Sequence, residues 1–88
     1  MPEYNIRFAQ SARKELEHLE ASVVSRVFPK IEALAQSPRP PGCRKLQGFE
    51  NLWRIRVGSY RVIYQVLDDE QVIDIIAVRH RSQAYRFE

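Results

Sequence analysis

Residues Trp53 to Tyr64 read WRIRVGSYRVIY. Both halves are rich in β-branched and aromatic residues, and Gly58-Ser59 between them is a two-residue connection of the kind that closes a hairpin. With that turn, Val57 faces Tyr60, Arg56 faces Arg61, Ile55 faces Val62 and Arg54 faces Ile63. Side chains alternate along a strand. Trp53, Ile55, Val57, Tyr60, Val62 and Tyr64 therefore share one face, and Arg54, Arg56 and Arg61 share the other. The first is a core face. The second sets Arg56 against Arg61, a like-charge pair that costs roughly a few tenths of a kcal/mol. Alternating arginines also describe an ordinary solvated strand face. A repulsion placed directly across a ladder with no structural gain, however, points to function.

Working outward, Val72 to Val78 reads as a third strand, separated from Tyr60 to Leu67 by Asp68, Asp69, Glu70 and Gln71. A three-residue connection, or an equivalent bulge in the acidic loop, sets Arg79 beside Arg61; an even loop sends Arg79 into the core. Burying a charged guanidinium among apolar groups is costly, so the odd register is expected. Arg81 follows Arg79 onto the same face if the strand continues, and His80 then points the other way.

Upstream, Tyr4, Ile6 and Phe8 alternate with Asn5 and Arg7 as in a half-buried strand. Ala9, Ala12, Leu16 and Leu19 follow at helical spacing. Ser11 is the expected cap, and Arg13, Lys14, Glu15, Glu17 and Glu20 are expected to face outward. Val24, Val27, Phe28, Ile31, Leu34 and Ala35 form a second apolar stripe, in which Pro29 is expected to bend or split the helix. Ser37, Pro38, Pro40, Pro41 and Gly42 end it in a loop. The reading is one α+β domain over residues 1–88, in the order β-α-α-β-β-β, with an antiparallel meander covered on one face by two helices.

The composition agrees. The 88 residues are 44% hydrophobic and 28% charged, a globular balance rather than that of a disordered chain. The net charge of +3 is modest, but it is clustered: from Arg44 to Tyr64 five bases (Arg44, Lys45, Arg54, Arg56, Arg61) stand against Glu50 alone. Arg79, Arg81 and Arg86 form a second cluster. The single cysteine, Cys43, excludes an internal disulfide and a cysteine-rich metal site and suits a reducing compartment. His18 and His80 lie far apart, and no metal-ligand spacing is present, so no cofactor is expected. The opening MPEYNIRF has no signal region and no apolar run reaches membrane length, so a cytoplasmic protein without a membrane partner is expected.

Several guanidinium groups on one sheet face suit phosphodiester oxygens, because arginine offers paired donors and keeps its charge. Metal-free RNA cleavage requires three things: an in-line 2′-hydroxyl, stabilised charge on the phosphate, and a route for two protons. Arginines supply the second. The third falls to His80 or Tyr85, and Tyr85 is equally suited to stack on a base.

The segments KLQGFENLWRIRVGSYRVIYQV and VIDIIAVRHRSQAY, with the opening YNIRF and the helix ending L-x-x-S-P, resemble the RelE/ParE superfamily of type II toxin-antitoxin toxins, and the RelE branch most closely. The resemblance spans nearly the whole chain. It implies a ribosome-dependent endoribonuclease, an mRNA interferase that cuts messenger RNA in the ribosomal A site and is neutralised by a cognate RelB-like antitoxin. The toxin-antitoxin complex is expected to bind operator DNA through the antitoxin. Family sites fall on Arg54 and Arg56 of the first hairpin strand, on Arg61 after the turn, and on Arg79 and Tyr85. Catalytic roles are thus expected for Arg56, Arg61, Arg79, Tyr85 and His80, and RNA binding for Arg54, Arg81, Lys45 and Arg44. Arg54 and Arg56 stand where some members carry lysines, and the loop PPGCRKL has no glutamate base of the kind some branches carry, so the proton acceptor comes from elsewhere, with Tyr85 and His80 the first candidates. The same fold also serves ParE-like inhibitors of DNA gyrase, which cut no RNA, and an inactive RNA-binding homologue is the third alternative.

Overall fold

The computed structural model describes residues 3–84. Strand β1 spans Asn5–Phe8, helix α1 Gln10–Glu17, helix α2 Ala21–Ala33, strand β2 Arg44–Lys45, strand β3 Leu52–Val57, strand β4 Tyr60–Leu67, strand β5 Val72–His80 and helix α3 Arg81–Ala84. The strands form one sheet in the order β1-β5-β4-β3-β2.

The hairpin is as the sequence requires. Val57 pairs with Tyr60, Arg56 with Arg61, Ile55 with Val62 and Arg54 with Ile63. Gly58 has a φ of 60° while Ser59 stays out of the left-handed region, the pattern of a II′ turn with glycine first.

The sheet departs from an antiparallel meander in two ways. β1 runs parallel to β5, Asn5 opposite Val72 through Phe8 opposite Ile75, so the sheet is mixed. An alternating pattern fixes which face a strand buries, but it carries no information on partner or direction. Here two helices carry the chain away from β1, and the strand that settles beside it is the last one. The second departure is β2, two residues paired antiparallel to β3 with Arg44 opposite Arg54 and Lys45 opposite Trp53. Two exposed cations show no apolar alternation, so the strand left no trace in the sequence pattern.

The core lies between the helices and the face carrying Ile55, Val62, Tyr64, Val66, Ile73, Ile75 and Val78, closed by Ala12, Val27, Ile31 and Leu34. Leu16, Leu19, Trp53, Val57 and Tyr60 pack at its margin. Full burial of a side chain such as Ile31 or Leu34 contributes about 1.5–3 kcal/mol, and this face is where the sheet draws its stability. Pro29 does not split α2, which runs unbroken from Ala21 to Ala33. The carbonyl of Ser25, to which Pro29 cannot donate, belongs to an exposed residue and can be hydrated.

The proline loop is tied down at two points. Tyr64 donates its phenol hydrogen to the Pro38 carbonyl at 2.7 Å. Arg39 forks onto Asp68 through Nη1 to Oδ1 at 3.3 Å and Nη2 to Oδ2 at 2.8 Å, with its guanidinium carbon 5.0 Å from the centre of the Trp53 ring. Tyr4 donates to the same Asp68 carboxylate at 2.7 Å. These bonds lower the Asp68 pKa, Arg39 contributing most and Tyr4 next. Tyr64 is raised far above the usual phenol range by burial first, with Cys43 adding to it.

Candidate functional site

On the face away from the helices, Arg61 pairs with Arg56 on one side and with Arg79 on the other. Three arginines thus stand in one row across β3, β4 and β5. Directly paired positions on a sheet lie roughly 4.5–5.5 Å apart. The next row adds Arg54 and its partner Arg44. Ile63 and Ala77 continue the Arg54 row, and with Leu46 they form a small buried apolar cluster on this face, Leu52 and Ile76 against it. Among the described residues no charged side chain is buried.

The register that brings Arg79 into the row comes from a bulge in β5. The acidic connection is four residues long, since Leu67 pairs with Val72. That even length alone would send Arg79 to the core face. Tyr64 pairs with Ile75 but Ile63 pairs with Ala77, so Ile76 is an extra residue in β5 and every later side chain changes face. The expected correction is present, but it lies within the strand rather than in the loop.

Helix α1 reaches the same place. Ser11 does not cap the helix; Ala9 occupies that position without a side-chain bond, and the Ser11 hydroxyl donates to the Ile76 carbonyl at 2.8 Å. Glu15 does not point into solvent. Its Oε1 accepts from the Val78 N–H at 2.9 Å and its Oε2 from Arg79 Nε at 2.7 Å. Both partners of the ion pair are about a quarter exposed, 26% and 28%, and a pair in such a setting stabilises a fold by on the order of 1 kcal/mol or less. Sequence reasoning missed both contacts. The available signal was the four-residue spacing of Ser11 and Glu15, which places two polar groups on one helix face beside Ala12.

The remaining candidates are dispersed. His80 pairs with Tyr60 and lies on the opposite side of β5 from Arg79, its ring edge-on to Tyr60 at 5.5 Å. Its Nδ1 accepts the Ser82 N–H at 3.2 Å and lies 2.9 Å from the Ser82 hydroxyl oxygen. Arg81 does not follow Arg79 along the strand, because β5 ends at His80 and Arg81 opens α3, donating its N–H to the Ser59 carbonyl at 2.7 Å. Lys45, opposite Trp53, alternates away from Arg44 on an edge strand. Tyr85 lies outside the described residues. Among the described residues, no three His, Cys, Asp or Glu side chains come together as ligands for a metal ion. None of the described helices is long and apolar enough to cross a membrane.

Fold and site describe a small α+β domain with a cationic open sheet face, and known proteins share the fold. Residues 6–85 match the family described as ParE toxin of type II toxin-antitoxin system, parDE. The mRNA interferase toxin RelE of Escherichia coli K12 is 34% identical over 86 residues, covering 93% of this chain and 90% of that protein. Among solved structures, an arginine double mutant of Escherichia coli RelE in the free state superposes with a TM-score of 0.81 at 29% identity, over 97% of this chain and 90% of that one. The toxin in the intact Escherichia coli RelBE toxin-antitoxin complex gives 0.78 at 32% identity, over 88% and 95%. The chain belongs to the RelE/ParE superfamily of type II toxin-antitoxin toxins.

Proposed function

We propose that this protein is a type II toxin acting as an mRNA interferase, a metal-independent endoribonuclease that cuts messenger RNA in the ribosomal A site. The observation that carries the reading is the row Arg56-Arg61-Arg79 across three strands. In the cleavage step the 2′-oxygen of the ribose attacks the adjacent phosphorus and the bond to the 5′-oxygen breaks. A base takes the 2′-hydroxyl proton, and an acid supplies one to the leaving oxygen. Arg56, Arg61 and Arg79 stabilise the added negative charge on the phosphate, a role that suits permanent, bidentate cations. Arg54 and Arg44, in the neighbouring row, hold the RNA backbone, with Lys45 and Arg81 at the periphery. Tyr85 is the proton carrier that the family resemblance supplies. The position of His80 on the far side of β5 favours Tyr85 over it.

The relative named mRNA interferase and the RelBE complex support the catalytic reading and a RelB-like antitoxin as partner. A cytoplasmic site of action, on the ribosome, follows from that target. The family match described as ParE favours a second reading, inhibition of DNA gyrase without RNA cleavage. One experiment separates the two: the toxin is induced without antitoxin, messenger 5′ ends are mapped, and gyrase supercoiling is assayed in parallel. Cuts within translated codons that vanish in the Arg61→Ala, Arg79→Ala double mutant are expected. Intact messages with inhibited gyrase would sink the interferase reading.

A further inference from the structure

We propose that Glu15 is a positioning residue that sets the Arg79 guanidinium for the phosphate; the inference rests on the mRNA-cleaving reading above. Parallel pairing of β1 with β5 stops at Phe8 opposite Ile75. From there α1 takes over the free edge of β5. The Ala9 N–H donates to the Ile75 carbonyl at 2.9 Å, the Ser11 hydroxyl to the Ile76 carbonyl, and the Val78 N–H to Glu15 Oε1.

The Glu15 carboxylate is therefore a bracket with two ends. One oxygen is fixed to the strand backbone at Val78, and the other holds Arg79 through Nε at 2.7 Å. A bond to Nε orients the plane of the guanidinium. The terminal Nη edge of a guanidinium is the one that takes two oxygens of a phosphate end-on. Arginine has a long side chain with many rotamers, and fixing it before the substrate arrives removes an ordering cost from the reaction itself. Glu15 also sets one negative charge beside a row of three arginines, at its Arg79 end. Glu17 lies two positions farther along the same helix and is exposed, so it offers the same charge without the bracket.

The test is single-turnover cleavage of ribosome-bound message by the purified toxin, with Glu15→Ala, Glu15→Gln, Arg79→Ala, the Glu15→Ala, Arg79→Ala double mutant, and Glu17→Ala as the charge control. Glu15→Ala is expected to slow cleavage on the order of 10- to 100-fold, the effect of misplacing a group by an ångström. Its half-saturating ribosome concentration should stay within about threefold of wild type, since the loss falls on the transition state. Glu15→Gln keeps an acceptor oxygen and should recover part of the rate; Glu17→Ala should cut normally. If Glu15 works through Arg79, the double mutant is no slower than Arg79→Ala alone. An equal further loss in that background assigns Glu15 to the fold and overturns the proposal, as does a Glu15→Ala protein that cuts at the wild-type rate. A wild type that leaves the message whole overturns the cleavage reading itself, and is told apart because in the other failures the wild type still cuts.

Discussion

Ser11 donates its hydroxyl hydrogen to the carbonyl oxygen of Ile76, the one residue that the β4–β5 ladder skips between Ile75 and Ala77. The contact joins the first helix to the bulge that turns Arg79 toward the other arginines. Ser11→Ala removes the donor and is expected to lower stability by about 0.5–1.5 kcal/mol. Urea unfolding checks this: the midpoint should fall while the slope stays the same.

If the arginine row binds the phosphate as proposed, stability and activity are expected to respond in opposite directions. Arg61 stands between Arg56 and Arg79, so Arg61→Ala relieves two like-charge contacts and is expected to leave stability unchanged or raise it by roughly 0.2–1 kcal/mol. Cleavage should fall about 10²- to 10³-fold, the usual loss when one stabilising donor is removed. Thermal melting and a ribosome-dependent cleavage assay on the same preparation test the pair of outcomes. Arg61→Lys should not restore the rate in full, because an ammonium cannot fork onto a phosphate.

How far the site was legible depended on what each residue's pattern encodes. The hairpin gave Arg54, Arg56 and Arg61 directly, since turn length and alternation together fix faces. Arg79 was placed by the cost of burying charge, an argument that required a register change without locating it; Ile76 carries no local signature of a bulge. β5 ends at His80 and Arg81 opens α3, which removes Arg81 from the arginine face, and alternation carries no signal for where a strand ends. Glu15 falls among the polar positions of its helix, and helical periodicity marks only the apolar side, so its bonds to Val78 and Arg79 leave no mark in the pattern. The parallel pairing of β1 and the two-residue β2 escaped for similar reasons, since both depend on partners distant in sequence.

Asp68 makes the proline loop sensitive to acid. Its folded pKa is lowered by Arg39 first and Tyr4 second. A lowered carboxyl pKa contributes stability above the ordinary aspartate value of about 3.9, and that contribution is lost as the pH falls through the folded value. Asp68→Asn should therefore be less stable than wild type at neutral pH, with the difference closing as the pH drops below about 4. Unfolding free energies measured across that range test the sign.

Tyr64 works at the other end of the scale. Its pKa is raised well above that of a free phenol, chiefly by burial. A raised value contributes stability that is present below about pH 10 and is lost as the pH climbs beyond it. Tyr64→Phe should lack that alkaline slope. At neutral pH it should cost roughly 1 kcal/mol, because the Pro38 carbonyl loses its donor. Alkaline melting curves of the two proteins should converge.

The pairing of the first strand with the last has a consequence for the order in which this protein is made. Asn5 waits for Val72, and Arg61 waits for Arg79, because both partners lie in β5. A nascent chain that has released β3 and β4 carries the hairpin but neither the closed sheet edge nor the third arginine. Contacts so distant in sequence form late. The row completes only after β5 has left the exit tunnel, so the hairpin is available for pairing before the third arginine is. Topology thus acts as a timer, placing the hairpin before the three-arginine row in the order of synthesis.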